Sequence, residues 1–122
     1  MTVDTLRFWN SKNSVPIETE EAIEAIQTPR RRFVLKMLEQ DSPQTVDRMS
    51  KQIAAAECDK SVDNINAQER KRVYIALIQG HLDKLDKLGA VTYEERDKLV
   101  RATPETPPLV DLIRHIEEVC EA

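Results

Sequence analysis

The sequence predicts a mostly α-helical domain carrying one small β-hairpin, and three observations predict it. Only two of the 122 residues are glycine, too few for the many tight turns of an all-β fold. Apolar residues recur at i, i+3 and i+4 through most of the chain, the spacing of helices with one buried face. From Val91 to Arg101 that spacing gives way to alternation around a charged turn, the mark of a hairpin.

Composition bounds the function classes. Hydrophobic residues at 40% and charged residues at 33% fit one small globular domain with appendages. Aromatics are few, so the core is built from Ile, Leu, Val, Met and Ala. No apolar run approaches the roughly 20 residues of a membrane span. The N-terminus lacks an apolar signal region, which gives the expectation of a cytoplasmic protein, or one in the host cytoplasm if the gene is viral. Cys58 and Cys120 have no CxxC partner and read as two reduced, partly buried thiols. The net charge of -4 is uneven. Residues 1–29 carry five acids and two bases, residues 30–101 fifteen bases and twelve acids, and residues 102–122 five acids and one base. A mildly basic centre between acidic ends remains compatible with a nucleic-acid partner, because local patches decide phosphate attraction.

Residues 1–17 show no period and read as an irregular arm, with Trp9 placed to tuck against the body. A helix follows from Glu18, with Thr19 as cap, acids in its first turn and an apolar edge of Ala22, Ile23 and Ile26. Thr28-Pro29 resets the chain, a capping residue followed by proline at the first helical position. The helix that starts there runs to Gln40 and buries Phe33, Val34, Met37 and Leu38. Arg30, Arg31 and Arg32 occupy its first turn, where the helix dipole disfavours cations. They read equally as a solvated surface paired to nearby glutamates and as phosphate contacts. Asp41-Ser42-Pro43 ends that helix and opens another, Gln44 to about Glu57, buried through Val46, Met49, Ile53 and Ala54. Residues 58–65 form a polar loop, longer than the three or four residues usual in a helix-turn-helix.

The long helix from Asn66 to Leu88 stops at Gly89. At 100° per residue, Tyr74, Leu77, Ile78, His81, Leu82, Leu85 and Leu88 share one arc that faces the core, and His81 reads as a packed, hydrogen-bonded histidine. The opposite arc holds Arg72, Val73, Ala76, Gln79, Gly80, Asp83, Lys84 and Lys87. A glycine inside a helix costs about 1 kcal/mol relative to alanine, so Gly80 calls for an offsetting gain. With Ala76 it makes a smooth strip that admits a close neighbour. The neighbour is a DNA groove, with Gln79 and Arg72 as base readers and Lys84 and Lys87 on phosphates, or it is another protein helix, which Asp83 favours. The hairpin turns at Glu94 to Asp97. It offers Arg96, Lys98 and Arg101 to a nucleic-acid backbone, against Glu94, Glu95 and Asp97. Helix, turn, long helix and hairpin together make a winged helix-turn-helix over residues 18–103. Residues 104–122 add the rest of a linker that begins at Thr103 and ends at Pro108, and an amphipathic helix striped by Leu109, Leu112, Ile113, Ile116 and Val119. That stripe either pairs two copies or folds back to complete its own core.

With those residues in view, the chain resembles the winged-helix transcription-regulator superfamily. His81 to Val91 looks like the end of a recognition helix in ArsR- and PadR-type regulators. Arg-Arg-Arg-Phe-Val-Leu (Arg30 to Leu35), Glu-Arg-Lys-Arg-Val-Tyr (Glu69 to Tyr74) and the run from His81 to Tyr93 are similar, in order, to an uncharacterised winged-helix family of halophilic archaea and their viruses. The resemblance spans about residues 22–103. It implies a winged helix that binds double-stranded DNA and has no enzymatic activity; halophile proteins are usually far more acidic than this chain. Independently, the sequence has no Gly-rich phosphate loop, no metal-spaced His/Cys/Asp set and no nucleophile motif, so no cofactor is expected. The expectation is a sequence-specific DNA-binding regulator acting as a homodimer, against a protein-interaction module that kept the shape and lost DNA.

Overall fold

A computed structural model describes residues 17–121. The expected arm lies outside the described residues apart from Ile17, which packs against the core. Helix α1 spans Thr19–Ala25, and its cap is Glu18 where Thr19 was expected. The Glu21 carboxylate turns back to accept from the Glu18 N–H at 3.2 Å. Helix α2, Pro29–Gln40, starts as its sequence predicts, with Thr28 Oγ1 accepting from the Arg31 N–H at 3.2 Å.

Strand β1, Gln44–Thr45, comes before helix α3, Val46–Cys58, so the helix begins two residues later than expected. Thr45 serves both elements, as a strand residue and as the cap whose Oγ1 accepts from the Arg48 N–H at 3.1 Å. The long turn after α3 has a structural explanation. Asp59 takes the left-handed conformation at φ 52°, Val62–Asn64 form a 3-10 turn, and Ile65 packs into the core. Asn66 then caps the next helix, accepting from the Glu69 N–H at 2.8 Å while Glu69 accepts from the Asn66 N–H at 3.1 Å. The Lys60 ammonium and that Asn66 N–H hold the Glu69 carboxyl down at about 2. The turn is therefore tied to the helix it precedes.

The long helix is continuous over residues 67–87 but not uniform. Helix α4, Ala67–Ala76, passes through a π turn, Leu77–His81, into helix α5, Leu82–Lys87. Its buried residues are Val73, Leu77, Leu82 and Leu85, separated by four, five and three positions. Five positions along an α-helix would turn Leu82 well away from Leu77, whereas the wider π turn returns it to the same side. The turn also corrects the expected faces, because Val73, assigned outward, is 2% exposed. The helix ends in a Schellman motif. The Ala90 N–H donates to Leu85 O at 2.9 Å, the Gly89 N–H to Asp86 O at 3.0 Å, and Gly89 has φ +81°.

Strand β2, Val91–Glu94, and strand β3, Leu99–Ala102, form the hairpin, and β1 adds to β3, giving the antiparallel order β1-β3-β2. Tyr93 faces Val100 and Val91 faces Ala102. The inward residues of β3 are thus Val100 and Ala102, and Arg101 faces solvent. Glu94 belongs to β2, and the turn is residues 95–98, with Lys98 at φ 51°. Helix α3, the long helix and this hairpin make a winged helix-turn-helix, with α2 and β1 behind it and one more helix at the C-terminus.

That helix, α6, spans Thr106–Glu121 and so starts inside the expected linker. Pro107 and Pro108 fit because the N–H groups of a first helical turn have no intrahelical hydrogen bond to lose. Thr106 is buried, and its Oγ1 donates to Ala90 O at 2.7 Å, which ties the helix start to the strand after Gly89. Leu109, Val110 and Ile113 enter the core. Lys36–Glu117 at 2.6 Å and Glu39–Arg114 at 2.5 Å clamp the helix along α2. No helix among the described residues is long and apolar enough to cross a membrane. Cys58 and Cys120, expected partly buried, are free and exposed.

The two glycines have opposite roles. An added Cβ at Gly80 meets nothing within 4 Å, while one at Gly89 would lie 2.9 Å from Glu105 Oε2 on a left-handed backbone. Gly80→Ala is expected to stabilise the domain by up to about 1 kcal/mol, from helix propensity alone. Gly89→Ala is expected to destabilise it by about 1–2 kcal/mol, the left-handed penalty, since the flexible Glu105 side chain can move aside. Urea denaturation of the two variants checks both signs.

Candidate nucleic-acid interface

The helix-turn-helix leaves one side of the long helix in solvent: Gln68, Lys71, Arg72, Ile75, Gln79, Gly80, Asp83 and Lys87. Along α4, residues three and four apart share a face, so Gln68, Lys71, Arg72 and Ile75 form a stripe that Gln79 and Gly80 continue. Its chemistry is mixed: two cations, two amides, an isoleucine 36% exposed and a bare stretch of backbone.

The expected cations sort by what already holds them. Arg72 on the helix and Arg96 in the wing are exposed and make no ion pair or side-chain hydrogen bond among the described residues. Lys71 has the same character and was not foreseen. The others are engaged. Arg30 makes a two-pronged bridge to Glu57, at 2.7 and 2.8 Å. Lys84 pairs with Glu24 at 2.7 Å, Lys87 with Asp83 at 3.0 Å, and Arg101 with Glu94 at 2.5 Å. The Lys98 ammonium donates to Glu95 O at 2.9 Å, and Arg70 bridges to Asp47 at 2.9 Å. Asp83 thus stands in a pair with Lys87.

Arg31 is turned inward. Its Nη1 donates to Glu24 O at 2.6 Å, and its Nε donates to His81 Nδ1 at 3.2 Å, locking α2 onto the π turn. Of the two readings of the arginine triplet, Arg31 takes neither and acts as an internal strut. His81 is half-buried and hydrogen-bonded, as its place on the core side of the helix predicts. Burial, then the Arg31 and Arg30 charges, push its imidazole below the ordinary range, against a smaller opposing pull from Glu57. A protonated ring could not accept from Arg31. The unfolded chain therefore binds a proton that the fold rejects, and stability is complete above about pH 6.5, the ordinary histidine value, and falls as pH drops through it. Urea midpoints taken between about pH 7.5 and pH 5.5 should show this slope, and His81→Gln should flatten it.

An unbroken helix phased on Leu77 to Leu88 does not put Lys71 and Ile75 on its outer arc, because the π turn shifts the phase of α4. Within α4, Val73 points inward and Lys71, Arg72 and Ile75 outward. The arrangement can bind anions at Lys71, Arg72 and Arg96. It can also present an amide and an isoleucine to a groove: a glutamine pairs with adenine N6 and N7, and an apolar side chain packs on the thymine methyl.

Of the expected dimer contacts, Leu109 and Ile113 are 2% and 0% exposed within the protomer, completing its own core. Leu112, Ile116 and Val119 are 36%, 38% and 68% exposed and remain as a face on α6. Residues 23–101 match the family described as Domain of unknown function (DUF7344), and the chain belongs to that family. No curated protein and no solved structure matches it.

Proposed function

We propose that this DUF7344 member is a sequence-specific, double-stranded-DNA-binding regulator of winged-helix type that works as a homodimer, in keeping with the winged-helix regulators it resembles. The observation that carries the reading is the stripe Lys71, Arg72, Ile75, Gln79 and Gly80 on the second helix of the helix-turn-helix. Its cations are uncommitted among the described residues, and a Cβ added at its glycine would meet nothing within 4 Å. Fluorescence anisotropy with mixed duplex DNA across a salt series tests it. Binding should weaken steeply as salt rises, because displaced counterions drive phosphate contacts. Absence of binding at about 50 mM salt overturns the reading.

A second reading is favoured by one observation: Arg30, Lys84, Lys87 and Arg101 are already neutralised within the chain. A protein-interaction module would use the same helix face without phosphates, and binding to a protein partner would be nearly indifferent to salt.

The homodimer rests on Leu112, Ile116 and Val119, spaced four and three positions apart along the outer side of α6. Ile116→Glu with Val119→Lys should halve the sedimenting mass of a dimer and leave the fold intact, since neither side chain is in the core. An unchanged mass for this variant removes α6 as the pairing surface.

A further inference from the structure

A second site lies behind the helix-turn-helix. A cavity of about 370 Å³ opens between α2 and α3, with Phe33 and Met37 on one wall and Gln52 on the other. Its polar end is built from Asp41, Gln44 and Arg48. Small-ligand pockets commonly begin at about 300 Å³. Gln44 is 5% exposed, and its amide is only half satisfied. Its Nε2 donates to Met37 O and Asp41 O, both at 2.8 Å, which fixes the orientation of the amide. Its Oε1 is buried and accepts nothing. A buried amide oxygen without a partner is uncommon and calls for a donor. Arg48 and Asp41 are 3.7 Å apart, each 61% exposed, a loose pair that a ligand can open.

We infer that this cavity binds a small α-amino acid with an apolar side chain. The ammonium group donates to Gln44 Oε1 and lies against the Asp41 carboxylate, the carboxylate group meets the Arg48 guanidinium, and the side chain covers Phe33 and Met37. A simple carboxylic acid would meet Asp41 with nothing to offer Gln44, and a simple amine would leave Arg48 unanswered. A zwitterion answers all three groups at the polar end. The Lys36 ammonium, also on the cavity wall, is held by both oxygens of Glu117 and is not free for a second anion.

The position suits control of the face described above, and in this respect the inference rests on the DNA-binding reading. Gln44 pairs with Val100 in β3, the strand that carries the wing, and Ser42 Oγ accepts from the Ala102 N–H at 2.8 Å. A ligand that draws on Gln44 and Asp41 pulls on the segment to which the base of the wing is bonded.

Calorimetry of the full chain with L-phenylalanine and L-leucine tests binding without DNA. The controls are 3-phenylpropanoate, which lacks the ammonium, and phenethylamine, which lacks the carboxylate. The expected result is binding of the amino acids, about tenfold weaker or undetectable binding of both controls, and a shift of the Gln44 side-chain amide resonance on titration. Arg48→Gln, at an exposed position, should fold normally and bind about tenfold more weakly. Gln44→Met should abolish binding, and if it fails to fold the Arg48 variant decides. No binding of either amino acid up to about 10 mM overturns the inference, as does binding that Arg48→Gln leaves unchanged. An unmoved Gln44 resonance, the result if water alone satisfies Oε1, overturns it too. DNA affinity is then measured with and without saturating amino acid. Amino-acid binding with no DNA binding in either case supports the cavity and removes the regulator reading. DNA binding with no amino-acid binding does the reverse.

Discussion

Truncation after Pro104 is expected to unfold the domain. Helix α6 buries Leu109, Val110 and Ile113 to 2%, 0% and 0% exposure, and Thr106 bonds Ala90 O. Withdrawing three such side chains forfeits about 6 kcal/mol of apolar burial and uncovers their partners on α2. A domain of this size holds roughly 5–15 kcal/mol in total. Circular dichroism of the 1–104 chain should show loss of cooperative melting, while Leu112→Ser, on the outer side of the same helix, should melt within a few degrees of the natural chain. The contrast between the two sides of α6 decides how any dimer must be tested. Shortening the chain removes the core along with the pairing surface, so a change in mass after truncation carries no information about pairing. A folded, cooperative 1–104 domain would show that the helix is an appendage.

The legible parts of this fold are those whose signals are local. Thr28-Pro29 marks the start of α2 because cap and proline act within one turn, and Gly89 marks the end of the long helix because a left-handed residue there needs glycine. The hairpin was legible from alternation, although which of Leu99 and Val100 faces inward was not, since four-residue strands leave the phase to one or two side chains. Strand β1 was not legible at all: two residues carry no period, and Gln44 is in the sheet because β3 is beside it. The π turn was hidden for a related reason. Leu77, Ile78, His81 and Leu82 fit an unbroken helix as well as a widened one, and the difference lies in what the core takes from each side. The candidate site suffered most from this. Arg72, Gln79 and Gly80 were found and Lys71 and Ile75 were not. The ion pairs that occupy Arg30 and Lys84 join residues distant in sequence, whereas Lys87–Asp83 is an i,i+4 pair that the helix spacing itself offers.

Replacing Lys71 and Arg72 together by alanine is expected to weaken DNA binding by about a hundredfold and to lower the slope of log affinity against log salt by about 2. The same change at Lys84 and Lys87 should cost markedly less. The difference follows from the free protein. Lys84 and Lys87 must release Glu24 and Asp83 before they can serve a phosphate, and the liberated carboxylates then face the DNA. Each surface pair is worth only about 0–1 kcal/mol, but its loss is subtracted from the gain, and the exposed acid adds repulsion. Lys71 and Arg72 have no such partner among the described residues, so their whole interaction with phosphate or guanine appears as affinity. Gln79→Ala should change which sequences are preferred more than how tightly mixed duplex is held. Gly80→Leu should impair DNA binding without impairing the fold, because the position is exposed and an added Cβ there meets nothing within 4 Å. Anisotropy titrations of these variants across salt separate the cases. If the Lys84 and Lys87 pair proves the more damaging, the C-terminal half of the long helix enters the groove, and the uncommitted cations of α4 lie outside it.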